Sequence, residues 1–340
     1  MINKLKNSLD KALIQQGWHL GDVAGRIGHP FTWADTGAKP LITSLDPTNG
    51  LMHYYYMYYV SKKTPNFIKT NKTNLYKKKI KTLLERFFFQ KYPFLKKNKK
   101  NIQSFTAQST ARAQDLSFIK KYTKLNKNIN VLDVGPGMCS MLPTLDIEYN
   151  TKYFAVESDF MTYASQLEFL KLYCYKNNKK IYDVLEAEEY YPLNNIRNQI
   201  LKQEVSHIPS WHFDLIKNDS IDLSMAMFML NELTYSGVFW VISNITKKLK
   251  LGGYLYIRDS NILKPGCHNF DYNNELSKLG YKEIAFYRIK NRHDFFGIPR
   301  IYKKIKNINI TYELLTNKYL GKYTSVASGL EKGYNIKKKK

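Results

Sequence analysis

Two glycines and two carboxylates, spaced along successive segments, carry the strongest chemical signal in the chain. The run Val131-Leu-Asp-Val-Gly-Pro-Gly137 ends an apolar segment in a tight turn. Gly135 and Gly137 let the backbone approach a bound group closely, and the helix that follows points its positive end at that group. A dinucleotide site would present Gly-x-Gly-x-x-Gly beneath a pyrophosphate. Here position 140 is Ser140, and Asp133 precedes the first glycine by two residues. An anion at that place repels a pyrophosphate and suits a ligand carrying an ammonium group. Glu157 follows the apolar segment Lys152–Val156, twenty residues beyond Gly137. A carboxylate at such a strand tip can accept both hydroxyls of a ribose. The plainer alternative is that Glu157 heads the helix opening at Ser158-Asp159.

Three further residues could take a proton from a reacting group. Glu232 follows the apolar segment ending at Met227, Asp259 follows Tyr254–Ile257, and His293 lies in a polar stretch near the C-terminal strands. His293 has the ordinary pKa closest to neutrality. Each has a bland alternative: Glu232 caps the next helix, Asp259 pairs with Arg258, and His293 is a loop histidine. His29, and His207 with His212 five residues later, show no metal spacing. Cys139, Cys174 and Cys267 are odd in number and widely spaced, which reads as buried thiols in a reducing compartment rather than a disulfide framework or a zinc site.

The elements that must position these groups alternate from about residue 105 to 305. Helices are predicted over Thr106–Tyr122, Ser158–Tyr175 and Ser236–Leu249. Strands are predicted over Asn130–Val134, Lys152–Val156, Ser220–Met227 and Tyr254–Ile257, the last beginning after a break at Gly252-Gly253. Lys282–Ile289 and Pro299–Ile305 read as an antiparallel pair that closes the domain. Tyr182–Glu204 looks like an insertion before a third strand. Such alternation builds a parallel sheet with helices on its faces.

Residues 1–104 form a separate, irregular and mainly helical region. Lys77–Phe89 reads as a helix, with Ile80, Leu83, Leu84 and Phe87 at one-face spacing. The aromatic run Tyr54–Tyr59 reads as core or lid rather than a base-stacking platform. The Lys96–Lys100 run reads as a solvated linker, and residues 308–340 as a basic tail. The formal charge is +25, but only 8 of the 53 cations are arginine, and Lys, Asn, Ile and Tyr rise together. That joint bias reads more simply as nucleotide-composition drift than as selection for phosphate binding. No segment has the roughly 18–20 apolar residues a membrane span requires. The N-terminus lacks a signal-peptide pattern, so a soluble cytoplasmic protein is expected, with a mitochondrial address left open by the acid-poor stretches.

On these motifs, residues 125–305 resemble the class I (Rossmann-like) S-adenosylmethionine-dependent methyltransferases. The likeness rests on the glycine loop, Glu157, Ile221-Asp-Leu-Ser-Met-Ala226 as fourth strand, and Leu249-Lys-Leu-Gly-Gly-Tyr-Leu-Tyr-Ile257 as fifth unit. It implies an α/β fold with a seven-stranded, mostly parallel sheet and helices on both faces. The implied cofactor is S-adenosyl-L-methionine, held by Asp133, Gly135, Pro136, Gly137, Glu157, Ser158 and Met227, with Trp211 or Ile208 against the adenine. Met229-Leu-Asn-Glu-Leu-Thr234, Arg258-Asp259 and His293–Tyr302 are similar to segments of sugar O-methyltransferases from polysaccharide clusters, which implies a saccharide hydroxyl as acceptor. Asn-Pro-Pro-Tyr, which marks amino methylation in this family, is absent after the fourth strand. Residues 1–104 would then cover the cofactor edge and shape the acceptor pocket. Two rivals stay open: an RNA methyltransferase using the basic surface, and a methyltransferase-like assembly factor without turnover.

Overall fold

A computed structural model describes residues 68, 70–91, 99–157, 160–230, 235–259, 271–287 and 297–309. The aromatic run at Tyr54–Tyr59, Cys267 and the lysine-rich C-terminal tail lie outside these residues.

The described residues build one sheet flanked by helices. The elements in chain order are α1 (Asn71–Lys91), α2 (Lys99–Tyr122), β1 (Asn128–Val134), α3 (Met141–Leu145), β2 (Asn150–Glu157), α4 (Phe160–Lys176), β3 (Ile181–Asp183), α5 (Val184–Ala187), α6 (Leu193–Ile200) and β4 (Val205–Pro209). A 3-10 turn at Ser210–Leu215 leads to β5 (Ile221–Met227), α7 (Tyr235–Lys248), β6 (Leu249–Asp259), α8 (Tyr272–Lys278), β7 (Tyr281–Phe286) and β8 (Ile298–Lys304). The sheet order is β3-β4-β2-β1-β5-β6-β8-β7. Strands β1 to β6 pair in parallel, while β8 runs antiparallel to both β6 and β7. This is a doubly wound, Rossmann-like sheet whose order reverses beside β1.

The expected seven strands are joined by an eighth, β3, which straddles the start of the stretch read as an insertion. It stops after three residues because Asp183 turns to cap α5, its side chain accepting from the Leu185 N–H at 3.3 Å. Strand β6 is also longer than expected and runs through Gly252-Gly253. The register jumps from Ile221–Leu249 to Leu223–Tyr254, so the glycines sit in a bulge rather than a break. Gly252 takes a positive φ of 84° there, which glycine tolerates without strain.

Buried parallel strands alternate their side chains between two covered faces. Val131, Tyr153, Ala155, Met225 and Tyr256 point to the face covered by α1, α2 and α4. Leu132, Val134, Phe154, Val156, Leu255 and Ile257 point to the face covered by α5, α6, α7 and α8. Helix α1 belongs to the first of these cores: Ile80, Leu84 and Phe87 are buried in it, with Leu83 packed alongside. The Phe87 ring lies 5.3 Å from that of Tyr173 and 6.2 Å from that of Phe169, both on α4. Helix α2 starts at Lys99, so the end of the lysine run is its first turn and it crosses the expected boundary at 104. Lysine is a good helix former, and the glutamines and alanines that follow propagate the helix without a break.

Because α1 shares the core of the sheet, Phe87→Ala should lower the unfolding free energy by about 3–5 kcal/mol, the usual cost of emptying a buried aromatic site. Urea denaturation followed by both circular dichroism and tryptophan fluorescence should show a single transition, shifted to lower urea. Two separated transitions would mean that α1 is held independently of the sheet.

Candidate functional site

The glycine loop closes β1 as expected. Gly135 and Gly137 have φ of 61° and 55°, in the left-handed region. The Gly135 N–H donates to the Val156 carbonyl at 2.9 Å, which ties the loop to the end of β2. A Cβ on Gly135 would lie 2.9 Å from Cβ of Met229, so the position has room only for hydrogen. Pro136 is buried. The helix expected to aim its dipole at a ligand is α3, which has five residues and no side-chain N-cap bond from Ser140. Its field is therefore small.

Asp133 is fully buried beneath the loop, on the face toward α2. Its Oδ2 accepts from the Tyr153 hydroxyl at 2.5 Å, while Oδ1 has no hydrogen-bond partner. Burial pushes the Asp133 carboxyl up to about 7, opposed by the Tyr153 hydrogen bond and by the nearby Arg112 charge. Burial and the adjacent Asp133 carboxyl push the Tyr153 hydroxyl well above its ordinary value, so it remains a donor.

Arg112 comes from α2 and reaches Met227 at the end of β5, its Nη1 lying 3.2 Å from Sδ. The same Nη1 donates to Asp115 Oδ2 at 3.0 Å. Asp115 Oδ1 accepts from the Tyr256 hydroxyl and from Arg258 Nη1, each at 2.6 Å. Three donors thus surround a carboxylate with no exposure to water. Gln108, one helical turn before Arg112 on α2, is buried with its Oε1 unpartnered.

Glu157 ends β2 and is buried, with its Oε2 accepting from Gln166 Nε2 at 2.7 Å. Asp133 and Glu157 lie on neighbouring strands, with Asp133 paired to Ala155. Both project to the α2 and α4 face. Trp211 is buried in the 3-10 turn after β4, the neighbour of β2 on its other side. The structure therefore brings together Asp133, Gly135, Pro136, Gly137, Glu157 and Met227 at the carboxyl ends of β1, β2 and β5. Ser158, Glu232 and His293 lie outside the described residues.

Arg258 and Asp259 are consecutive on β6 and turn to opposite faces. Arg258 reaches Asp115, and Asp259 Oδ2 accepts from the Tyr272 hydroxyl at 2.8 Å. The pairing of the two with each other, read from their adjacency, is thus replaced by partners from different helices. His207 lies 2.9 Å from Gln166, and His212 lies 2.9 Å from Glu188. Sequence reasoning missed Gln108, Arg112, Asp115, Tyr153 and Gln166. Tyr153 could have been found by counting back from Glu157 in steps of two, and Arg112 by asking why one of few arginines stands among alanines.

No family model and no curated protein matches the chain. Among solved structures it is similar to a phosphoethanolamine N-methyltransferase 2 of Haemonchus contortus, at 15% identity and a TM-score of 0.31 over 48% of this chain and 32% of that one. It is also similar to an S-adenosylmethionine-dependent methyltransferase of Aquifex aeolicus, at 15% identity and a TM-score of 0.37 over 56% of this chain and 90% of that one. A third is a geranyl diphosphate C-methyltransferase of Streptomyces coelicolor, at 8% identity and a TM-score of 0.39 over 60% of this chain and 78% of that one. The chain thus spans about a third of the worm enzyme.

The environment of Asp133 has a consequence for stability. Its carboxyl titrates near 7 when folded and near 4 when unfolded, so between those values the native state holds the extra proton. The native state therefore loses relative stability as pH rises from about 4 to about 7. Asp133→Asn lacks this titration. Its stability relative to wild type should rise by a few kcal/mol over that window, as measured by urea denaturation at pH 4.5 and 7.5. A constant difference between the two proteins would show that Asp133 is ionised throughout.

Proposed function

We propose that this chain binds S-adenosylmethionine and transfers its methyl group to a hydroxyl of a sugar or polysaccharide precursor. The observation that carries the reading is a conjunction at one sheet edge. The glycine loop ends β1, Asp133 lies beneath it, and Glu157 ends the adjacent β2.

The buried polar atoms of Asp133 and of helix α2 fit such a ligand. Asp133 Oδ1, Arg112 Nε and Gln108 Oε1 lack hydrogen-bond partners, and each buried polar atom left so costs about 1–3 kcal/mol. An amino-acid terminus would answer two of these needs, its ammonium meeting Asp133 and its carboxylate meeting Arg112. Glu157 would accept the ribose hydroxyls, with Trp211, Met227, Pro136, Gly137 and Ser158 completing the contacts. A bound sulfonium supplies an electrophilic methyl group. The protein's share is alignment, the exclusion of water and the removal of a proton from the acceptor hydroxyl. Asp259, His293 and Glu232 are the groups proposed for that proton, and residues 1–104 would cover the edge and shape the acceptor pocket. RNA, gripped through the lysine-rich surface that gives the chain its charge of +25, is the second reading of the acceptor. RNA binding that falls steeply with salt would support it over a saccharide.

Isothermal titration with S-adenosylmethionine tests the cofactor. The wild type should bind, and Asp133→Ala and Glu157→Ala should each weaken binding by roughly tenfold or more, the loss of one hydrogen bond to a charged group. Absence of binding by the wild type, or unchanged binding in both variants, would defeat the reading. Because the Asp133 carboxyl must ionise to meet an ammonium group, wild-type affinity should also rise between pH 6 and 7.5, and Asp133→Asn should flatten that rise.

A further inference from the structure

The buried polar row behind Glu157 continues across three elements. Glu157 Oε2 accepts from Gln166 Nε2 on α4 at 2.7 Å, and Gln166 Oε1 lies 2.9 Å from His207 Nε2 on β4. The His207 ring stacks on Tyr163 with centroids 3.7 Å apart and planes 24° apart. The Tyr163 hydroxyl donates to Asp183 Oδ1 at 2.5 Å and sits 3.2 Å from the His207 carbonyl. Gln166, His207 and Tyr163 are completely buried.

One end of this row fixes the direction of the bonds through His207. A carboxylate only accepts hydrogen bonds, so Gln166 must turn its NH2 to Glu157 and its carbonyl to His207. His207 must then carry its proton on Nε2, which leaves Nδ1 with a lone pair. Nδ1 has no hydrogen-bond partner, although Asp183 Oδ1 is 3.9 Å away. That distance would suit an ion pair, but burial pushes His207 down to about 3, so the ring is neutral and the pair is not ionic. A neutral ring with Nε2–H is the state that the Gln166 carbonyl requires. The alternative tautomer would place two acceptors against each other and free the amide to rotate away from Glu157.

We propose that Gln166 is a positioning residue for ribose recognition, and that His207 locks its amide in the orientation that holds the Glu157 carboxylate ready. This inference rests on the reading of Glu157 as the ribose acceptor. Held by Gln166, the carboxylate gives up its rotamer freedom on folding rather than on binding, which preserves affinity for a ligand with both hydroxyls.

The test compares S-adenosylhomocysteine with its 2′-deoxyribose analogue by calorimetry, alongside the imidazole nitrogen NMR shifts of His207 in the wild type. The wild type should prefer the ribose form by roughly ten- to a hundredfold, as expected for hydrogen bonds to a charged group. Gln166→Leu should bring that preference to within about threefold of unity, since the positioned bond is the one lost, while affinity for the deoxy analogue stays within about twofold. His207→Phe should do the same. His207→Gln, whose amide nitrogen falls near the Nε2 position, should restore the preference. The NMR shifts should show a pyrrole-type Nε2 and a pyridine-type Nδ1 from pH 5 to 8.

An unchanged preference in Gln166→Leu, an equal loss of both ligands, or a protonated Nδ1 would overturn the inference while leaving the cofactor reading intact. A wild type that binds neither ligand would overturn both. The NMR measurement stands even if the variants fail to fold.

Discussion

Asp115 is a carboxylate removed entirely from water, and its desolvation has to be offset by donors that converge on it. Tyr256 and Arg258 supply two from β6, and Arg112 supplies a third from the same helix as Asp115. These bonds set helix α2 against the carboxyl half of the sheet. They also decide where Arg112 and Gln108 stand, because both lie one turn or two before Asp115 on that helix. The polar surroundings of the glycine loop therefore depend on an ion cluster that touches the loop only at one remove. Arg112 is shared between the cluster and Met227 at the end of β5, and that shared guanidinium joins helix α2 to the carboxyl end of the sheet.

The two-residue repeat of the strands sorts the remaining chemistry. Asp133 on β1, Tyr153 and Glu157 on β2, His207 on β4, Met227 on β5 and Tyr256 with Arg258 on β6 share one face. The intervening residues Leu132, Val134, Phe154, Val156, Ile208, Leu255 and Ile257 form the apolar core on the other. A parallel sheet buried on both sides ordinarily reads as a run of apolar residues. Here one face has traded several of them for polar groups, and each polar group draws a partner from α2, α4 or a neighbouring strand. Helix α4 exemplifies the result: Tyr163 and Gln166, one turn apart, serve the strands, whereas Phe169 and Tyr173 pack against α1.

Much of this was legible in the sequence, for reasons that differ by element. Strands β1, β2 and β5 announce themselves because their apolar runs end in a turn or an acid, and Asp133 and Glu157 are conspicuous for the same reason. Strand β3 was not legible, since three residues cannot display a period and Asp183 reads as a turn residue. The start of α2 was hidden because lysines serve a solvated linker and a helical first turn equally well. Within the site, Asp115 meets Tyr256 across 141 positions and Arg258 across 143. Local pattern holds no information about partners so distant. Adjacency misled in the opposite way at Arg258 and Asp259, which are neighbours in the chain yet belong to opposite faces of β6.

Gly135 and Gly297 frame the segment that leaves β5. A Cβ on Gly135 would meet Met229 at 2.9 Å, and one on Gly297 would meet Phe228 at 2.8 Å and the Arg258 side chain at 2.9 Å. Phe228 itself has a φ of 60°, a conformation that costs energy for an aromatic residue and persists only where its surroundings enforce it. The path of the chain as it leaves β5 thus depends on two missing methyl groups at positions far apart in the sequence. Exposed lysines can be exchanged at little cost to stability. At these two positions even a single added carbon would press on Met229 or on Phe228 and Arg258, and the residues that follow β5 would have to shift to admit it.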